Sequence, residues 1–588
     1  MQEVGESIQL KQNNVFIKNT YKKALLPCML SILSANINVI VDGILVGQKL
    51  GTNALAAINL CMPINLFLCV IGSFISSGVA INSSKALGAQ AVKKANEYYK
   101  LGIILAYIFS VIVTFSGVIF INDICRFLCS DSGAFPYVRA YTLVTLIGAI
   151  FKVMIYIPFW YLRLDGQNKE ISFMMSVMTI GNIILDVLFI FVFDYGVYGA
   201  SAANVIATAV ALLMGIHYLK QNKSDFKFSL KFDKKYISLK RIIADGIPSS
   251  LNNLCSTIRI LMINSILLAF GGVSLVAVFT AVMGVFSIGE CIILGVPQAS
   301  NAMLGVYAGE RDNQSCKFIL KSELLMGAIY SALFFILCMI VSPLVGRIYS
   351  INSSMFIPLL FMSLSIYPAL VCHALSSYYN ISGKNTISVV IIFLRLVVFT
   401  YVGLILSNII NISPFSFYLF AEIMTLAFIY IFTGVYFARN KNVDRFLMYN
   451  NKDDYSGKIL NFSVENDHEN ICKSSELISD FCSENGLSIK DTMKIQLAIE
   501  EALILISDVN KNEKSDLDGF DIRAFIYDDL SGIRIRYDGL DFNPFAGQMN
   551  TSDYMGVKMI ADMLESTIYQ RTFGVNTLIL LLKGQNNG

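Results

Sequence analysis

The chain has 588 residues, 55% of them apolar and 15% charged, with a formal net charge of +3. This is membrane composition, and so small a net charge excludes the basic footprint of a nucleic-acid-binding protein. Twelve cysteines without a CxxC pair argue against a zinc site or a disulfide framework; Cys125 and Cys129 lie near one membrane face and could pair, but reduced core thiols are the expectation.

The apolar excess lies before about residue 437, and the rest of the chain reads as a soluble domain. The polar N-terminus up to Lys23 leads into an apolar run long enough to span, so no separable secretory signal is expected. About twelve runs, near 24–46, 54–82, 101–122, 138–162, 171–193, 197–219, 243–270, 274–304, 320–345, 355–380, 386–408 and 415–437, each reach the length of a helical crossing. Between them Lys22, Lys23, Lys85, Lys93, Lys94, Lys100, Arg163, Lys169, a dense run from Lys220 to Arg241, Arg311, Lys317, Lys384, Arg439 and Lys441 fall on one side. The other side offers Lys49, Arg126, Arg139 and Arg347. The positive-inside rule therefore predicts an all-α polytopic protein of the plasma (inner) membrane with both termini cytoplasmic. The basic segment 220–242 reads as a cytoplasmic linker or a lipid-binding amphipathic stretch. It separates a lobe of residues 1–219 from one of residues 243–440.

Polar residues inside these runs are the candidates for function, because an ionised side chain in hydrocarbon is costly and normally faces a cavity or a partner. Asn182 and Asp186, in GNIILDV, are four apart and share one face of a helix. Counting back from the polar ends at Lys49 and Asp194, Asp42 and Asp186 lie at one depth, about 10 to 12 Å below the same membrane face. Two carboxylates and an amide at that depth could share a cation; alternatively each aspartate caps a loop or pairs with the intramembrane Lys152. In the second half the position answering to Asp186 is near Gly403, and the seventh run offers Asn252, Asn253 and Arg259 but no carboxylate. Glu290, Arg259 and Arg395 could form a buried ionic group there, with Glu290 serving either structure or substrate. His373 could carry a proton or simply pack.

The halves repeat. LDGQNKEIS at Leu164 to Ser172 recurs as ISGKNTIS at Ile381 to Ser388, and ALGAQAVKKAN at Ala86 to Asn96 recurs loosely as MLGVYAGERDN at Met303 to Asn313. Two parallel six-span lobes around a midplane site are the expected arrangement.

With VDGILVGQKLGTNALAAINLCMPI at Val41 to Ile64 and GNIILDVLFIFVFDYGVYGASAA at Gly181 to Ala203, these loops resemble the multidrug and toxic-compound extrusion (MATE) family over about residues 10 to 440. The resemblance implies a V-shaped twelve-helix antiporter coupled to H⁺ or Na⁺. Asp42, Asn182 and Asp186 match a first-lobe cation site, with Asp42 and Asp186 as ligands if the ion is Na⁺, and Asn204 stands where a threonine is common. A cleft between the lobes would take small amphipathic, cationic organic substrates on Lys152, Tyr156, Met175, Met178, Glu290 and His373. Met154, Phe159 and Met174 belong to the same adaptable surface. No cofactor beyond the coupling ion is expected. A membrane sensor and a flippase of lipid-linked precursors are the competing readings.

Past a linker at 441–458, the segment 459–588 alternates as an α/β sandwich: a strand in LNFSVENDHENI, helices at Cys472 to Asn485 and Asp491 to Ser507, and strands in DIRAFIYDD, SGIRIRYDG, STIYQRTF and VNTLILLLK, with a helix at Gly556 to Leu564. It is similar to the histidine-kinase-like ATPase domain of the anti-sigma-factor superfamily. That resemblance places Glu501, Asp538, Gly539 and Gly556 at a nucleotide site for ATP, but Leu505 stands where a magnesium-binding asparagine is usual. A degenerate domain that binds a cytosolic regulatory protein is therefore expected.

Overall fold

Helix covers almost the whole apolar part of the chain, as it must where no water can satisfy backbone polar groups. In this computed structural model the described residues are 15–89, 91–128, 135–221, 226, 237–310, 312–348, 354–439, 458–515, 517, 519–526, 530–545, 564–572 and 574–583. The chain divides into two compact units, Lys23–Tyr436 and a second that holds everything from Phe437 onward with the N-terminal residues.

The membrane unit begins with α1 (Val15–Gly88), α2 (Val92–Ile119), α3 (Ile121–Leu128), α4 (Phe135–Ile147), α5 (Ala149–Met154), α6 (Tyr156–Leu164), α7 (Asn168–Asp186) and α8 (Gly196–Gln221). It continues with α9 (Leu239–Gly309), α10 (Asn313–Ile348), α11 (Phe356–Ile381), α12 (Asn385–Phe393), α13 (Phe399–Ile409) and α14 (Phe417–Arg439). Two π-helical segments interrupt this pattern: Val187–Val192 directly after Asp186, and Leu394–Val398 around Arg395. Such π turns are rare and concentrate at functional sites.

α1 and α9 are each two crossings. Ile242 lies against Gly78 and Val306 against Gly88, about 15 Å apart along α1, whereas a straight α9 would hold them about 96 Å apart. Likewise Met29 meets Gly295 while Gly88 meets Val306, so α1 also doubles back. Ten helices among the described residues are long and apolar enough to span, or eleven if the pair Phe135–Ile147 and Ala149–Leu164, bent by 54°, is one span. The sequence predicts about twelve; the first run, 24–46, contains residues whose side chains lie outside the described set. Large apolar side chains such as Phe115 and Ile340 are exposed, as those facing lipid are.

The repeated loops fold alike. Gly166 and Gly383 both take left-handed backbone, φ +77° and +79°, and the N–H groups of the next residues reach back to Leu162 and Tyr379. Only glycine adopts such a turn at no steric cost. Where α1 and α9 meet, glycines permit contact. A methyl group at Gly305 would stand 2.6 Å from the Ser84 Cβ, and one at Gly88 would stand 2.9 Å from the Gly309 Cα. Because packed interiors do not compress, Gly305→Leu should force the halves apart at this end. Spin labels at Lys93 and Arg241, both exposed, should then separate by about 5 Å or more; an unchanged distance would mean this contact is not what closes the halves.

The second unit is a two-layer α/β fold. Strands β1 (Lys458–Glu465), β2 (Gly519–Ile526), β3 (Leu530–Tyr537), β4 (Ser566–Thr572) and β5 (Val575–Lys583) form an antiparallel sheet in the order β1-β2-β3-β5-β4. The register places Ile522 opposite Ile535, and Ile535 opposite Leu578. That apolar face packs on Ile471 and Ile478 of α15 (His468–Glu484) and on Ile495, Ile499, Leu503 and Ile506 of α16 (Ile489–Asn512). Ser488 caps α16 by accepting from the Asp491 N–H at 3.1 Å. Every expected strand is present, and the expected helix at Gly556 to Leu564 falls almost wholly outside the described residues.

Candidate functional site

On α7, the Asn182 amide donates to Asp186 Oδ2 at 2.7 Å, and both side chains are buried, at 1% and 0% exposure. The i, i+4 spacing makes this contact, and the π turn begins one residue later. The amide turns its NH2 donor to the carboxylate, and Asn182 Oδ1 lacks a hydrogen-bond partner among the described residues. Lys49 and Asp194 approach to 3.8 Å, which confirms that the ends from which depth is counted lie at one level. The side chain of Asp42, seven residues before Lys49, lies outside the described set.

A cavity of about 640 Å³ separates the two halves of the membrane unit, within the size range of small-molecule sites. Lys152, Tyr156, Phe159, Met175, Met178 and His373 all line it, as the sequence indicates for a cleft, and so does Asn204, which the sequence places with the cation site instead. Two expectations are corrected. Met174 is fully buried in the helical core, and Glu290 lies away from the cavity wall, receiving Asn36 Nδ2 at 3.4 Å. Lys152 donates to the Asn65 amide oxygen at 2.6 Å. Neither Asn182 nor Asp186 borders the cavity, so an ion there would act on bound substrate through helix movement, not contact.

The second-half ionic group exists with a different centre. Arg395, on the π turn, pairs with Glu422 of α14 at 2.7 Å, both nearly inaccessible. Arg259 lies over the Tyr418 ring at 5.5 Å. Sequence reasoning missed Glu422 because a single acid at the start of the last span reads as an interfacial charge. Glu323, 1% exposed and receiving the Ser300 hydroxyl at 2.8 Å, was missed for the same reason.

The seventh run does carry a carboxylate. Asp245 Oδ2 accepts from Lys85 Nζ at 3.2 Å and Asn82 Nδ2 at 3.0 Å across the halves, and Oδ1 accepts from Asn385 at 2.8 Å. This cluster sits beside the glycine contacts and ties the halves together at one end of the cavity. Arg163, which the sequence groups with the loop cations, is in fact buried at 2% exposure on the cavity wall.

A sequence model of the MatE family matches residues 27–192. Outward-facing and other solved MATE structures superpose with TM-scores of 0.62 to 0.66 at 21–22% identity, the outward-facing one over 70% of this chain and 94% of that one. The membrane unit has the MATE transporter fold. A Pyrococcus furiosus transporter of the MOP superfamily described as having a binding pocket of reversed polarity superposes equally well, with TM-score 0.65 and 21% identity over 70% of this chain and 94% of that one. Among curated relatives, the "Probable multidrug resistance protein YoeA" of Bacillus subtilis is 26% identical over 39% of this chain and 51% of its own length. The FAD transporter of Shewanella oneidensis is 24% identical over 49% and 65%. Multidrug export protein MepA of Staphylococcus aureus is 25% identical over 55% and 70%. The chain thus spans between about half and two thirds of the first two relatives. It is a multi-pass membrane protein, and the MATE proteins it resembles are secondary transporters rather than enzymes.

In the second unit Glu501 is half-buried on α16, while Asp538 and Gly539 open the loop after β3, with Gly539 at φ +95°. That loop is pinned. The Leu540 N–H donates to Asn510 Oδ1 at 2.9 Å, Asn576 Nδ2 to the Leu540 carbonyl at 2.7 Å, and the Tyr569 hydroxyl to Asp541 at 2.7 Å. Burial first, then Tyr537 and Asp541 beside it, pushes the Tyr569 hydroxyl up, so it remains a donor at neutral pH. Leu505 is buried at 8% exposure. Gly556 lies outside the described residues.

Proposed function

We propose that the chain is an ion-coupled antiporter that exports amphipathic organic compounds across the plasma membrane by alternating access. The observation that carries this reading is a cavity between two halves tied shut at one end, with a buried amide–carboxylate pair elsewhere in the first half. H⁺ or Na⁺ entering the pair at Asp186, with Asp42 as a further ligand, changes α7 and its π turn. That change lowers affinity for substrate in the cavity, and substrate and ion then compete without touching. The drug-exporting relatives support this reading. The lysine bias supports placing the tied end and both termini on the cytoplasmic side. In cells carrying the intact chain, efflux of a dye panel should stop when one of the sodium or proton gradients is collapsed; efflux indifferent to both would refute ion coupling.

The second unit is proposed as a regulatory domain that binds a cytosolic protein. Its residues do not fit a magnesium-bound nucleotide, since Leu505 offers no oxygen where the metal would need one. The segment from Ser456, which includes its own apolar core, should bind ATP weakly and with little magnesium dependence, and Leu505→Asn should strengthen both. Tight magnesium-dependent binding by the unaltered segment would contradict the proposal.

A further inference from the structure

Arg163 is the most deeply buried charge on the cavity wall, and its Nε, Nη1 and Nη2 have no hydrogen-bond partner among the described residues. Its neighbours are the faces of Phe159 and Trp160, 4.6 and 5.8 Å from the guanidinium carbon, and the thiol of Cys28. Ring faces attract a cation but use none of its five N–H donors. The Cys28 sulfur lies within reach of the guanidinium but is only a weak acceptor, and its own S–H is directed to Asn168 Oδ1 at 3.5 Å. A guanidinium so placed is costly to hold unless something completes it.

The repeat shows what is missing. At the offset of the two matching loops, 217 residues, Arg163 answers to Asn380, Asn168 to Asn385 and Cys28 to Asp245. In the second half the aspartate is present: Asp245 accepts from Asn385 Nδ2 at 2.8 Å, and its backbone carbonyl accepts from Asn380 Nδ2 at 3.2 Å. In the first half a cysteine stands where the carboxylate would be, while the amide has become an arginine. Charge is thus added where the balancing acid has been removed. No Asp or Glu is present among the described residues that line the cavity, which also carries Lys152 and His373.

We infer that the cavity takes an organic anion, an aromatic or amphipathic body bearing a carboxylate or phosphate whose oxygens pair with the Arg163 fork while its rings lie along Tyr156, Phe159 and Trp160. The planar fork matches either head group bidentately. The inference names the substrate class for the export reading and rests on it for direction of movement, but not for binding. It replaces the cationic substrate that the sequence suggests.

The test uses the full chain in nanodiscs with riboflavin and riboflavin 5′-phosphate, which differ only in the phosphate. Carboxyfluorescein provides the carboxylate arm and ethidium the cationic arm. The phosphate ester should bind at least about tenfold more tightly than riboflavin, and Arg163→Gln should remove that preference while Arg163→Lys keeps part of it. Carboxyfluorescein losing affinity in parallel would assign both head groups to the fork, and affinity for only one of the two anions would narrow the class to that head group. Equal binding of riboflavin and its phosphate, tighter binding of ethidium, or a preference that survives Arg163→Gln would overturn the inference. Should Arg163→Gln not fold, the wild-type preference and its reduction in Arg163→Lys decide. Ethidium exported down an ion gradient while anions are ignored would leave the export reading standing and this inference refuted. Arg163-dependent anion binding with no gradient-driven movement of any probe would do the reverse.

Discussion

Asp186→Asn should leave the protein folded and lower gradient-driven efflux by at least about tenfold. The substituted side chain is nearly the same shape, and the Asn182 amide that now donates to Oδ2 at 2.7 Å keeps an oxygen acceptor. Relieving hydrocarbon of an ionisable group that costs about 3 kcal/mol on insertion scales should leave stability unchanged or raised. Transport has no such tolerance, because a neutral amide at this position can neither take a proton nor balance a sodium ion. Melting of the purified variant, set beside dye efflux at equal membrane abundance, separates the two effects. Full efflux from a normally inserted Asp186→Asn protein would remove Asp186 from the coupling path.

Glu422→Ala should be the most destabilising single change in the membrane unit. Arg395 would remain buried at 6% exposure with its 2.7 Å partner gone, and an uncompensated buried charge costs about 3 to 5 kcal/mol. Arg259, already facing Tyr418, adds a second positive charge to the same neighbourhood. Replacing the pair together, Arg395→Met with Glu422→Leu, should recover most of that loss, since well-packed apolar groups of similar volume often substitute for a buried pair without penalty. Thermal unfolding of the three proteins measures this directly. A Glu422→Ala protein as stable as the parent would show that Arg395 reaches another acceptor.

Much of this arrangement was legible in the chain. The Asn182–Asp186 contact comes from helical spacing, the meeting of Lys49 and Asp194 from counting residues, and the sheet of the second unit from alternation. What sequence did not show was azimuth. A charge near the end of an apolar run has a known depth, yet whether it faces water, lipid or another helix depends on rotation about the helix axis. Arg163, Asp245, Glu323 and Glu422 all sit near such ends, and all are buried. Asp245 meets Lys85 across 160 residues, a pairing that no local pattern encodes.

The two π turns bear on how the halves should be compared. A π turn holds one residue more than the α-helical turn it replaces, which advances the rotational phase of everything after it by about 100°. The second half takes its extra residue at Leu394–Val398, ahead of the level of Asp186, and the first half takes its own only after that level. Between the two insertions, simple numbering is therefore out of phase by one. The residue that occupies the azimuth of Asp186 is Leu404, fully buried, and not Gly403. The two halves thus hold matching helices whose insertions lie at different levels, so that one is turned relative to the other over about three helical turns. Any attempt to transplant the acidic site into the second half must start from Leu404.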